Sequence, residues 1–150
     1  MSARLALAIQ RASRMKAIPA DAKLRAWARE AIRRSADVTL RIVGEAEGRR
    51  LNRAHRGRDY ATNVLTFVYE STPRSPLTGD VVLCAPVLAR EAKAPGKSLE
   101  AHCAHLVVHG LLHLQGHDHE AEADAVAMER RERVILRRLG FADPYAPGSL

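Results

Sequence analysis

The feature that most constrains this chain is the run HGLLHLQGHDH, His109 to His119. Six of the seven histidines lie between His102 and His119, and they are spaced for a purpose. On a helix, His109 and His113 are four residues apart and project from one face. Two imidazoles so placed can bind one ion. Gly116 then lets the chain leave the helix and turn back, and His119 follows three residues later. The pattern H-x3-H-x2-G-x2-H offers three neutral nitrogen donors and leaves a fourth tetrahedral position open, the layout of a catalytic zinc site. A lone helical histidine is usually just packed or solvated, and pairs at i,i+4 arise often by chance. A third histidine just past a helix-stopping glycine is what favours a metal. His117 competes with His119 as third ligand. Asp118 is a candidate for orienting a ligand imidazole, with a turn or cap as the plainer role. His102 and His105 fall on the same face as His109 and His113, one and two turns earlier, and read as core or supporting groups.

Gly110 narrows the chemistry. In H-E-x-x-H metalloproteases a glutamate follows the first histidine and acts as general base. Here that position is glycine, which counts against peptide hydrolysis by that route. A metal can still lower the pKa of water it binds to about 7 and polarise a phosphoryl oxygen. Phosphodiester attack also needs positive charge near the developing oxyanion.

The charge distribution supplies it. The formal net charge is +7, but residues 1–59 hold 15 Lys+Arg against 6 Asp+Glu, while residues 60–150 are slightly acidic. A basic half points to a polyanionic partner, nucleic acid ahead of membrane, against the plain alternative of a solvated basic surface. Arg49, Arg53 and Arg56 share one helical face, with Arg50 and Arg58 beside them. Arginine suits bidentate contact with phosphate. The six aromatics, Trp27, Tyr60, Phe67, Tyr69, Phe141 and Tyr145, are too few for a large base-stacking platform, so phosphate contacts should dominate.

The 150 residues suffice for one domain with its own core. No apolar run is long enough to span a membrane, and the N-terminal apolar patch is interrupted by Arg11 and Arg14, unlike a secretory signal. Cys84 and Cys103 lack metal or redox spacing and read as buried thiols in a reducing compartment. Alternation predicts strands at Leu5–Ile9, Val38–Ile42 and Asn63–Tyr69, with a more continuously apolar strand at Asp80–Cys84. Helices are expected from Asp21 to about Arg34, Glu45 to about His55, Pro86 to Ala94, Ser98 (as N-cap) to near Gly116, and Glu122 to Leu139. Ser71–Gly79 reads as a loop, and the tail from about residue 142 as loose. The fold class is α+β: one domain over residues 1–150, a small mixed four-stranded sheet flanked by about five helices, with the metal site at the end of a central helix.

HGLLHLQGHDH, together with RGRDYATNVLTF at Arg56–Phe67 and GDVVLC at Gly79–Cys84, resembles the YbeY family of bacterial single-strand-specific metallo-endoribonucleases. The resemblance runs from about Val38 to beyond Glu120, with three motifs in register. It implies one zinc ion held by His109, His113 and His119. It implies that Arg56 is the family's functionally important arginine; the charge and spacing of the arginine segment make Arg49, Arg53 and Arg58 candidate RNA contacts. It also implies a cytoplasmic protein acting on single-stranded ribosomal RNA in 16S rRNA 3′-end maturation and ribosome quality control. Its partners would be the ribosome or small-subunit proteins, with no membrane or DNA. Two rivals remain: a metal-dependent peptidase or other hydrolase, and a non-catalytic ribosome-assembly factor with a structural metal. The first has the histidine spacing but lacks the glutamate. The second conflicts with an open coordination position, since structural zinc sites are closed by four protein ligands.

Overall fold

A computed structural model describes residues 3–69, 72–93, 97–116 and 121–145. The elements follow the chain as β1 (Leu5–Arg11), α1 (Asp21–Ala31), β2 (Ala36–Val43), α2 (Glu45–Arg56), β3 (Val64–Val68), β4 (Leu77–Cys84), α3 (Ala85–Glu91), α4 (Leu99–Leu114) and α5 (Glu122–Arg138). The sheet order is β1-β2-β4-β3. β1, β2 and β4 run parallel, with Leu5 opposite Ala36 and Leu40 opposite Val81. β3 returns antiparallel to β4, with Val64 opposite Leu83. The mixed sheet and five helices are those the sequence predicts.

Composition explains which strands are central. β2 and β4 carry Val38, Leu40, Ile42, Val43, Val81, Val82, Leu83 and Cys84, all buried, as strands covered on both faces must be. One face packs under α1 and α4 with Leu24, Ala28, Leu111 and Leu112. The other packs Val43, Leu65, Val82, Cys84 and Val87 with Leu51 and Phe67. Both cysteines are free and buried.

α4 is the central helix. Its Ser98 cap is formed: the hydroxyl oxygen accepts from the Ala101 amide at 3.0 Å. It is apolar nearly all round, with His102, Leu106, Val107, Val108, Leu111, Leu112 and Leu114 buried, the mark of an enclosed helix. It ends at Leu114, and Gly116 takes φ +96°, a conformation that favours glycine. Gly110 faces the sheet. A Cβ there would lie 2.7 Å from Val81 Cγ1 and 3.6 Å from Val64 Cγ2. The glycine that breaks the H-E-x-x-H pattern is therefore where helix meets sheet, and no side chain fits.

Several boundaries differ from expectation, and three differences have a clear physical cause. α1 ends at Ala31 rather than near Arg34. Gln115, just past the end of α4, replaces the lost helical partners, donating to the Ala31 carbonyl at 2.9 Å and accepting from the Arg33 amide at 2.7 Å. β4 starts at Leu77, inside the expected loop, because parallel pairing with Ala36, Asp37 and Val38 extends it. The tail is held at residues 143 and 145: the Asp143 carboxylate accepts from the Tyr145 amide at 2.8 Å and pairs with Arg133 at 3.1 Å.

Candidate metal centre

His105, His109 and His113 stand at successive turns of α4, and His105 and His109 meet Glu132 of α5. The His109 and His113 rings are nearly parallel, 11° apart with centroids separated by 6.5 Å. The i,i+4 spacing has thus placed the two rings on neighbouring turns of one helical face. His117, Asp118 and His119 lie outside the described residues, so the expected third ligand and its competitor stand as expectations.

Glu132 of α5 is the residue that spacing did not reveal. It is fully buried. One carboxylate oxygen accepts from His109 Nδ1 at 2.5 Å. The other accepts from His105 Nε2 at 3.2 Å and from the Tyr145 hydroxyl. Burial by itself would raise the Glu132 carboxyl, but the hydrogen bonds from His105, His109 and Tyr145 outweigh it and hold the group down at about 2. Burial, with Glu132 adjacent, pushes the Tyr145 phenol up, so it stays a donor. A signal for Glu132 existed in the sequence: Met128, Glu132, Ile135 and Leu136 form the buried stripe of α5. A carboxylate within an apolar stripe needs partners, and histidines are natural ones.

One donor atom each from His105, His109 and Glu132 lie within 4.8 Å of one another, close enough to enclose a metal ion. The 2.5 Å contact between His109 Nδ1 and Glu132 distinguishes the roles. Two ligands about 2.0–2.1 Å from a tetrahedral ion sit about 3.3 Å apart. The observed separation is that of a hydrogen bond. An ionised carboxylate only accepts, so in this contact His109 Nδ1 carries a proton and donates it to Glu132. A neutral imidazole with Nδ1–H on a carboxylate is the usual state of a metal-ligating histidine. The chemistry of the donor set around His109 therefore suits a metal ion, with His113 one turn further along α4.

Arg56 is exposed at the end of α2, followed by Gly57 at φ +70°. Leu51 of α2 packs on the sheet face opposite α4. The connection 57–63 then leads to Val64, which abuts Gly110 between the two histidines. The arginine segment is thus joined through residues 57–63 to the strand that Gly110 packs against. Arg49 forms a two-pronged pair with Asp59 at 2.8 and 2.9 Å, tying α2 to that connection. Arg53, Arg56 and Arg58 are exposed and in no ion pair among the described residues. Of the candidate RNA contacts, Arg49 is thus already engaged with a carboxylate.

Comparisons with known proteins agree with this architecture. The model of the family described as Endoribonuclease YbeY matches residues 9–140. A relative from Aromatoleum aromaticum named Endoribonuclease YbeY is 58% identical, covering 97% of this chain and 95% of its own. One of the same name from Methylibium petroleiphilum is 57% identical over 95% and 94%. Another, from Azoarcus sp., is longer: 58% identical over 87% of this chain, which spans 54% of that protein. Among solved structures, the solution structure of TM1509 from Thermotoga maritima superposes with a TM-score of 0.56 at 22% identity, covering 94% of this chain and 99% of that one, and shows the same fold. The match over residues 9–140 and the near full-length relatives establish that the chain belongs to the YbeY endoribonuclease family.

Proposed function

We propose that this protein is a zinc-dependent endoribonuclease that cuts single-stranded ribosomal RNA in the cytoplasm, in 16S rRNA 3′-end maturation and ribosome quality control. The observation that supports the metal chemistry is the cluster of donor atoms from His105, His109 and buried Glu132 within 4.8 Å of one another, one helical turn from His113. His109, His113 and His119 would hold the ion. Bound zinc supplies Lewis acidity toward a phosphodiester. The chain's own residues do the rest. Glu132 orients His109. Arg56 provides fixed positive charge for the phosphoryl oxygens. Arg53 and Arg58 hold the RNA backbone, so affinity falls with salt. Small-subunit components of the ribosome are the expected partners. Among the described residues no helix is long and apolar enough to cross a membrane.

The peptidase reading is disfavoured by packing: Gly110, where the general base would sit, points at Val81 and has no room for a side chain. The test measures bound zinc and cleavage of single-stranded RNA and of casein for wild type, His113→Ala and Arg56→Ala. His113→Ala should lose metal and RNA cleavage, Arg56→Ala should keep metal and lose cleavage, and casein should stay intact. Undiminished RNA cleavage by metal-free His113→Ala protein would sink the metal mechanism.

A further inference from the structure

The cluster around Glu132 is more than two imidazoles need if their only task is to face a metal. A fully buried carboxylate is costly unless several donors meet it, and α5 would pack more simply with an aliphatic residue between Met128 and Ile135. Instead three donors from two directions converge on Glu132: His105 and His109 from α4, and the Tyr145 hydroxyl from beyond the end of α5. Tyr145 is itself held. Its amide donates to Asp143 at 2.8 Å, Arg133 pairs with Asp143 at 3.1 Å, and the Arg133 guanidinium lies 5.3 Å from the Tyr145 ring centre. The His105 ring meets the Tyr145 ring edge-on, with centroids 5.3 Å apart. The turn after α5 thus closes over the carboxylate from the side away from His109.

We propose that Glu132 is a positioning residue for His109. It fixes the ring's rotation and keeps the proton on Nδ1, and Tyr145 latches the carboxylate in that pose. This deepens the proposed function and rests on His109 being a metal ligand. A carboxylate is required because its two oxygens accept from three donors at once, whereas the isosteric glutamine offers one oxygen and a competing NH2. If that NH2 turns toward His109 it meets Nδ1 as a donor, the proton moves to Nε2, and the nitrogen facing the ion loses its lone pair.

The experiment uses the full chain. Long-range proton–nitrogen NMR on metal-free protein labelled with nitrogen-15 histidine reads the tautomer of His109. Competition against a chelator of known affinity reads zinc binding, and circular dichroism confirms that each variant is folded. Wild type should show His109 protonated on Nδ1. Glu132→Gln should show a mixed or reversed tautomer and bind zinc about 10–100-fold more weakly, the range for such outer partners. Tyr145→Phe removes only the latch and should shift both readouts the same way by less. A folded Glu132→Gln protein with unchanged tautomer and affinity overturns the proposal. So do unchanged readouts in Tyr145→Phe, which decides the matter if Glu132→Gln fails to fold. Wild-type protein that binds no zinc, with the tautomer still responding to Glu132, refutes the zinc reading and leaves the ring-positioning role standing.

Discussion

Replacing Gly110 with alanine should destabilise this protein, although alanine is the better helix former. In an exposed helix the exchange would gain about 1 kcal/mol. Here the new Cβ would sit 2.7 Å from Val81 Cγ1 and 3.3 Å from Cγ2. Val81 is fully buried on β4, between β2 and β3, and a valine has little rotameric freedom with which to retreat. The shortfall from an ordinary carbon contact is about 1 Å, which places the strain near the top of the about 1–3 kcal/mol range for overpacking. The net loss is then about 2 kcal/mol, or about 4–8 °C in Tm for a domain of this size. The assay is urea and thermal denaturation of Gly110→Ala, Val81→Ala and the double variant. Removing the Val81 methyls removes the clash, so in that background Gly110→Ala should be neutral or stabilising. The two changes should therefore couple strongly rather than add. Strict additivity, or a Gly110→Ala protein as stable as wild type, would refute the claim that α4 sits on the sheet through this glycine.

Other outcomes follow from the same structure. Arg53→Ala should weaken RNA binding and lower the slope of log affinity against log salt by about 1, whereas Arg49→Ala, whose guanidinium already meets Asp59, should change it less. Burial holds the His102 imidazole below its ordinary value, only partly offset by Glu91. The unfolded chain therefore takes up this proton first as pH falls, and the stability that neutral His102 contributes is full above about pH 6.5 and lost as pH falls through the lower folded value. Urea midpoints at pH 7.5 and 5.5 should consequently fall less in His102→Gln than in wild type. Burial pushes the Cys103 thiol up to about 12, so a thiol reagent at pH 8 should label it only after denaturant is added.

The strands and helices were legible because their apolar spacing is regular, as at Val38, Leu40 and Ile42. The first half of β4 was not, because Leu77-Thr78-Gly79 follows a proline-rich stretch and becomes a strand only by pairing with β2. The His109/His113 pair was readable since a helix turns a spacing of four into proximity. Glu132 lies 23 residues from His109, and their contact depends on how α5 crosses α4, which no local pattern encodes. Tyr145 was hidden for a related reason. A tail with prolines looks unstructured until the burial of its hydroxyl against Glu132 is known.

Gly110 and Gly79 together have a wider consequence. A Cβ at Gly79 would meet Leu114 Cδ2 at 2.8 Å and the Phe67 carbonyl at 2.7 Å, so α4 touches the sheet at glycines near both ends of the histidine turn. At both contacts the glycine leaves room for one side chain of the facing element, Val81 on the strand and Leu114 on the helix. The height of His109 and His113 above the sheet is then set by how those two side chains seat against glycine. Exchanging Val81 or Leu114 should shift the two proposed metal ligands relative to the strand, whereas exchanging leucines elsewhere along α4 should alter mainly how stable the protein is.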